Sequence, residues 1–136
     1  MVHALREAHR VLRPDGALID LRPEPEHRRI GLGEGRSWRL VGVTRESLDM
    51  DHAADRAVVQ VLRAGLFRRG THARFLVERE MDAMEDFVAW LTDCGQRRML
   101  ATHRWLIRRL RRALAAREAR IVARGPVRLQ LLRKLG

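Results

Sequence analysis

Pro14, Asp15 and Gly16 constrain this chain most, because of what stands on either side of them. Before them, Val2 to Leu12 has the period of an amphipathic helix. Leu5, Ala8 and Leu12 share a face with Val11 beside them, while Arg6, Glu7 and Arg10 lie elsewhere. After them, Ala17 to Leu21 (Ala-Leu-Ile-Asp-Leu) has the composition of a short strand buried on both faces. Pro23 and Pro25 close that strand, since proline cannot donate to a ladder. Proline followed by glycine stops a helix and reverses a chain. A helix turned back at once into a buried strand requires stacked layers of helix and sheet.

The rest of the chain continues the mixture. His27 to Gly35 is polar and glycine-rich and reads as a loop or loose hairpin arm, and Ser37 to Val43 alternates as a strand. Thr44 to Asp51 is rich in capping residues, and a helix follows to about Ala64, with Gly65 as its C-terminal cap. Thr71 to Arg79 is a strand candidate. Asp82 and Glu85 have capping-box spacing before a helix with Met84, Phe87, Val88 and Leu91 inward. A longer helix is expected from about Gln96 to Glu118, with Leu100, His103, Ile107, Leu110 and Leu114 on one stripe. An extended stretch with Val127, Leu129 and Leu131 alternating ends the chain. No internal repeat or linker breaks this order, so 136 residues are expected to form a single α/β domain.

Ala4 to Leu21 carries a resemblance. A helix ending Arg10-Val11-Leu12, the turn Arg13-Pro14-Asp15-Gly16 and the apolar strand after it resemble the helix, turn and fifth strand of class I S-adenosylmethionine-dependent methyltransferases of the type 11 kind. Asp15 stands where that family commonly has glycine. More loosely, Gly65-Leu66-Phe67 with the Arg74 to Arg79 strand is similar to the family's step into its sixth strand, and the alternation at Val127 to its seventh, antiparallel strand. The resemblance implies a partial Rossmann-like sheet of three or four strands flanked by helices, from the C-terminal part of the domain. It also implies S-adenosylmethionine as cofactor, held by a glycine-rich loop after the first strand and an acidic residue ending the second. Both would precede Ala4. The expectation is therefore a chain without the cofactor-binding half, not competent alone, whether by truncation, a misassigned start or degeneration. Sheet strands missing on one side would invite a second copy, or another chain supplying them. Asp20 and Arg22, closing the first strand, would border the methyl-acceptor side, because ligands of open α/β sheets bind beyond the strands' carboxyl ends.

Gly31-Leu32-Gly33-Glu34-Gly35 has the look of a cofactor loop, but a phosphate- or methionine-cradling loop needs a buried strand before it and a helix after it. His27-Arg28-Arg29-Ile30 is not such a strand, and Ser37 onward alternates, so Gly31, Gly33 and Gly35 read as a decoy. In the family, moreover, the glycine loop precedes the proline-glycine turn. Asp49, Asp51, His52 and Asp55 crowd a helix start, where carboxylates cap and complement the dipole, so no metal site is expected there. His3, His9, His27, His72 and His103 lack ligand spacing, and no serine or cysteine sits in a nucleophile elbow. Cys94 stands alone, which excludes an internal disulfide and a cysteine zinc site and favours a cytoplasmic location. No run approaches the ~20 apolar residues of a membrane span.

The net charge is +11, yet 27 of the 28 basic residues are arginine and only Lys134 is lysine, a bias that GC-rich codons produce unaided. Its distribution says more. Nine arginines and one acid, Glu118, lie between Arg97 and Arg120. Arg97, Arg104, Arg108 and Arg111 line one stripe, with Arg98, Arg109 and Arg112 adjacent and Trp105 among them. Such a face is either the solvated back of a packed helix or a surface for nucleic acid or an acidic partner. With six aromatics and no tyrosine, base stacking is poorly supplied.

Overall fold

The computed structural model describes residues 1–93, 101–115 and 118–136. Among them are five strands, β1 (Ala17–Pro23), β2 (Arg29–Glu34), β3 (Ser37–Val43), β4 (Phe67–Met81) and β5 (Arg120–Lys134). Four helices accompany them, α1 (Val2–Val11), α2 (Asp49–Arg63), α3 (Met84–Asp93) and α4 (Arg104–Leu114). The class is mixed α/β. The strands form an antiparallel sheet in the order β1-β5-β2-β3, with β4 also on β5. This corrects the expected three or four strands and the Rossmann-like sheet: the glycine-rich stretch supplies the additional strand β2. The chain divides into two compact units, and β4 and β5 run through both.

Unit 1 comprises residues 1–26, 47–75 and 126–136. Its core is Leu5, Ala57, Val58, Val61, Phe67 and Leu132, the inward stripes of α1 and α2 closed over the strands. The turn between α1 and β1 explains its own residues. Pro14 occupies the first central position, and Asp15 sits at φ +59 in the second. The Gly16 N–H donates to Arg13 O at 2.9 Å, and a Cβ on Gly16 would come within 2.8 Å of that same oxygen. Asp15 thus holds the left-handed conformation that glycine adopts freely, which aspartate tolerates better than most residues. Lys134 Nζ donates to the Leu12 carbonyl at the end of α1, satisfying an orphan acceptor. At the other helix, Gly65 at φ +69 donates to Leu62 O while Leu66 N–H reaches Val61 O, a Schellman cap.

β1 runs antiparallel to the end of β5, from Ala17 opposite Arg133 to Pro23 opposite Val127. Its predicted burial on both faces is corrected. Leu18, Asp20 and Arg22 are half-buried, but the alternate residues face outward, Ile19 at 63% and Leu21 at 58% exposure. The cause is one-sided packing: the side chains of Leu18, Asp20 and Arg22 are partly covered, and among the described residues nothing covers those of Ile19 and Leu21.

Unit 2 comprises residues 27–46 and 76–125. β2 and β3 form a hairpin from Glu34 opposite Ser37, with Gly35 at φ +56 in the turn. The register slips between Ile30 and Gly31, leaving Val41 as the extra residue on β3. β2 also lies along the start of β5, from Arg29 opposite Arg124 to Gly33 opposite Arg120. Ile30, Leu32, Val41, Phe87, Leu91, Leu106, Leu110 and Ile121 make the core. α3 is capped one residue later than the sequence suggests: the Ala83 N–H donates to the Asp86 carboxylate, and Asp82 pairs with Arg120 instead. The long helix expected from Gln96 to Glu118 is also corrected at its described parts. α4 begins at Arg104 after a turn at His103 and stops at Leu114, with Ala115 as C-cap. Residues 94–100 and 116–117, with Arg97, Arg98 and Cys94, lie outside the described residues.

Candidate functional site

Asp20 and Arg22 fall together on the inward face of β1, two residues apart, and the fold ties them into a network. Arg22 Nε donates to Asp20 at 3.0 Å, and its terminal nitrogen lies 2.9 Å from Asp55 on α2. Asp55 also accepts from Arg128 on β5, whose Cα partner is Arg22 itself. Two guanidiniums directly opposite each other would repel, and the Asp55 carboxylate between them removes that cost. Arg22 keeps only 12% of its side chain exposed, so its charge requires these partners. The sequence singled out Asp20 and Arg22 but missed Arg128, which no local spacing connects to them. In the sequence Asp55 belongs to a capping group with Asp49, Asp51 and His52. In the structure Ser47 interacts with Asp49 at the helix start, while Asp55 reaches across to β1 and β5.

Gly31 and Gly33 lie within strand β2, and only Gly35 is in a turn. A Cβ at Gly31 would meet the Trp38 ring and Arg39 O at 2.5 Å, so the missing side chain makes room for tryptophan across the hairpin. Arg124 stacks over the Trp38 ring with its guanidinium carbon 4.2 Å from the centroid, and ion-pairs with Glu78 at 2.6 Å. Gly31 therefore makes a strand-to-ring contact, while a Cβ at Gly33 would come within 3.0 Å of Val122 Cγ2. Beside the hairpin an open cleft of about 550 Å³ is lined by Gly33, Glu80, Asp82, Glu118 and Arg120 among others. Arg120 reaches Glu80 at 2.9 Å and Asp82 at 3.1 Å, and these partners raise its pKa, the hydrogen bond with Glu80 most.

Among the described residues no three His, Cys, Asp or Glu side chains are grouped to hold a metal. The buried His103 accepts at Nε2 from the Arg45 N–H at 2.7 Å, which fixes the chain entering α4. His9 packs edge-on to Phe67 and contacts Leu135 O, and His27 lies 3.6 Å from Glu46.

The remaining candidate is α4. Leu106 and Leu110 are fully buried, Trp105 and Ile107 half-buried, and Arg104, Arg108, Arg109, Arg111 and Arg112 exposed. Among the described residues none of these five forms an ion pair, whereas Arg22, Arg28, Arg74, Arg120, Arg124 and Arg128 all do. Arg109 lies over the Trp105 ring at 5.9 Å, and Trp105, Arg108, Arg109 and Arg112 line a shallow groove of about 300 Å³. The Trp105 ring reaches β3, where a side chain at Gly42 would overlap it at 2.6 Å. Of the predicted basic stripe, Arg104, Arg108 and Arg111 are thus on one exposed helix, and Arg97 lies outside the described residues. Among the described residues, no helix is long and apolar enough to cross a membrane. Comparison with protein-family models, curated proteins and solved structures finds no match to this chain.

Proposed function

We propose that this chain is a methyltransferase-like protein, unit 1 corresponding to the C-terminal, sheet-edge part of a class I S-adenosylmethionine-dependent methyltransferase, and that residues 1–136 do not transfer methyl groups by themselves. The observation that carries the reading is β1. Its inward face carries Leu18 with the paired Asp20 and Arg22, while its outward face is apolar and uncovered among the described residues, with Ile19 and Leu21 exposed on a strand that pairs antiparallel to β5. An exposed aliphatic face of that kind is suited to being covered, which supports a larger domain around β1. The turn supports the same reading. Asp15 departs from the family's glycine in residue type but has the positive φ for which glycine is used.

Gly31 does not fit the cofactor, because Trp38 occupies the space there, and no step of methyl transfer is assigned to this chain's residues. Calorimetric titration of S-adenosylmethionine tests the reading. Residues 1–136 should give no heat of binding. Binding by residues 1–136 overturns the proposal. A rival occupant of the β1 edge is a second copy of the chain; a sedimentation series giving dimers that Ile19→Lys dissolves would favour it.

A further inference from the structure

We propose that the outer face of α4 binds the phosphate backbone of nucleic acid, independently of any relation to methyl transfer. With 3.6 residues per turn, Arg111, Arg104, Arg108, Arg112, Trp105 and Arg109 follow one another around an arc of about 160°. Arg104, Arg108 and Arg112 are each four residues apart and rise about 6 Å per step along the axis, a ladder of cations suited to successive phosphates. The described residues offer this arc no carboxylate, while seven arginines elsewhere have one. Codon bias accounts for arginine in place of lysine. It does not account for five unneutralised arginines on eleven residues.

Helix stability does not account for them either. Like charges four apart repel, and Arg104 lies in the first turn, where the helix dipole disfavours a cation. The Arg109 guanidinium over the Trp105 ring narrows the rotamers of one member of the arc. Arginine presents paired donors to phosphate oxygens, which makes it well matched to such a backbone.

An anionic membrane is the weaker candidate. A helix that lies in a bilayer surface needs a free apolar face, and Leu106 and Leu110 are fully buried within unit 2. An acidic protein is also less suited, because the arc carries no exposed apolar anchor for a hot spot. Contacts confined to phosphates predict binding with little dependence on base sequence.

Fluorescence anisotropy with labelled mixed-sequence duplex and single-stranded oligonucleotides tests the proposal. At about 50 mM salt a micromolar Kd is expected for at least one of them, with affinity falling on added salt at a log–log slope near −0.9 per phosphate engaged on a duplex. Replacing two contacts, R108A with R112A, should cut affinity at least tenfold and flatten a duplex slope by about 1.8. A charge-matched control, R68A with R69A on exposed positions of β4, should change affinity less than threefold. Loss of the same size in both double variants would assign the binding to bulk charge and overturn the proposal. So would absence of binding at low salt, or stronger capture by anionic vesicles or polyglutamate than by nucleic acid. Both pairs are exposed, so unchanged circular dichroism should separate lost binding from lost structure.

Discussion

β1 and α4 are each half-satisfied, in opposite senses. On β1 the polar face is engaged, with Asp20, Arg22, Asp55 and Arg128 neutralising one another, and apolar Ile19 and Leu21 are left outside. On α4 the apolar face is engaged through Leu106 and Leu110, and the charges are left outside. A strand that exposes aliphatic side chains calls for something apolar to cover it; a helix that exposes guanidiniums calls for anions. What each element lacks points to a different class of partner.

The largest expected effect tests whether inner and outer apolar positions differ as described. Leu110→Ala should lower unfolding stability by about 3 kcal/mol, because a buried leucine leaves a cavity, while Ile19→Ala should cost well under about 1 kcal/mol. Urea melts giving equal losses would break the contrast. Next comes the charge network. Asp55→Asn leaves Arg22 and Arg128 facing each other with the central charge removed, and a loss of about 2 kcal/mol is expected, below the range for fully buried pairs because Asp55 is partly exposed.

Asp15→Gly should act in the other direction, raising stability by about 1 kcal/mol as the left-handed strain is relieved, partly offset by the freer unfolded chain. An unchanged Tm would mean the turn accepts aspartate without cost. On α4, Arg108→Ala should stay within about 0.5 kcal/mol of the parent, since it breaks no ion pair. A loss above that in the same melts would mean the arginine supports the fold. Smallest is the exposed Glu7–Arg10 pair. The hydrogen bond and charge of Arg10 hold the Glu7 carboxyl below its usual range, so its contribution is present at neutral pH and fades as pH falls through that lowered value. Glu7→Gln should therefore differ from the parent slightly at pH 7 and not at all at pH 2 in the same thermal scan.

Local signals carried far in this chain and long-range ones did not. The α1 stripe, the Pro14 turn, Ser37–Val43 as a strand, the Gly65 cap and the inward face of α3 were readable, because each rests on residues within a few positions of one another. β2 was missed as a strand: its glycines have low strand propensity, and only the Trp38 ring across the hairpin shows why Gly31 is needed. The end of the last helix differs because Ala115 to Glu118 are good helix formers in sequence, whereas the helix stops at Leu114 with Ala115 as its C-cap. Asp20 and Arg22 were legible as a pair. Their neutralisation by Asp55 and Arg128 depends on residues more than thirty positions away, and the described sequence spacing carries no trace of it. The basic stripe and its single acid were legible, but the absence, among the described residues, of carboxylates reaching it from other elements was not.

β5 has a consequence for synthesis. Residues 127–133 complete unit 1 against β1, and residues 120–124 complete unit 2 against β2, so the same late strand finishes both. A ribosome therefore releases the first hundred or so residues with two open sheet edges and no native neighbour for either. Aggregation during translation, and dependence on a chaperone that shields bare strands, should be set by the delay before Arg120 emerges from the exit tunnel.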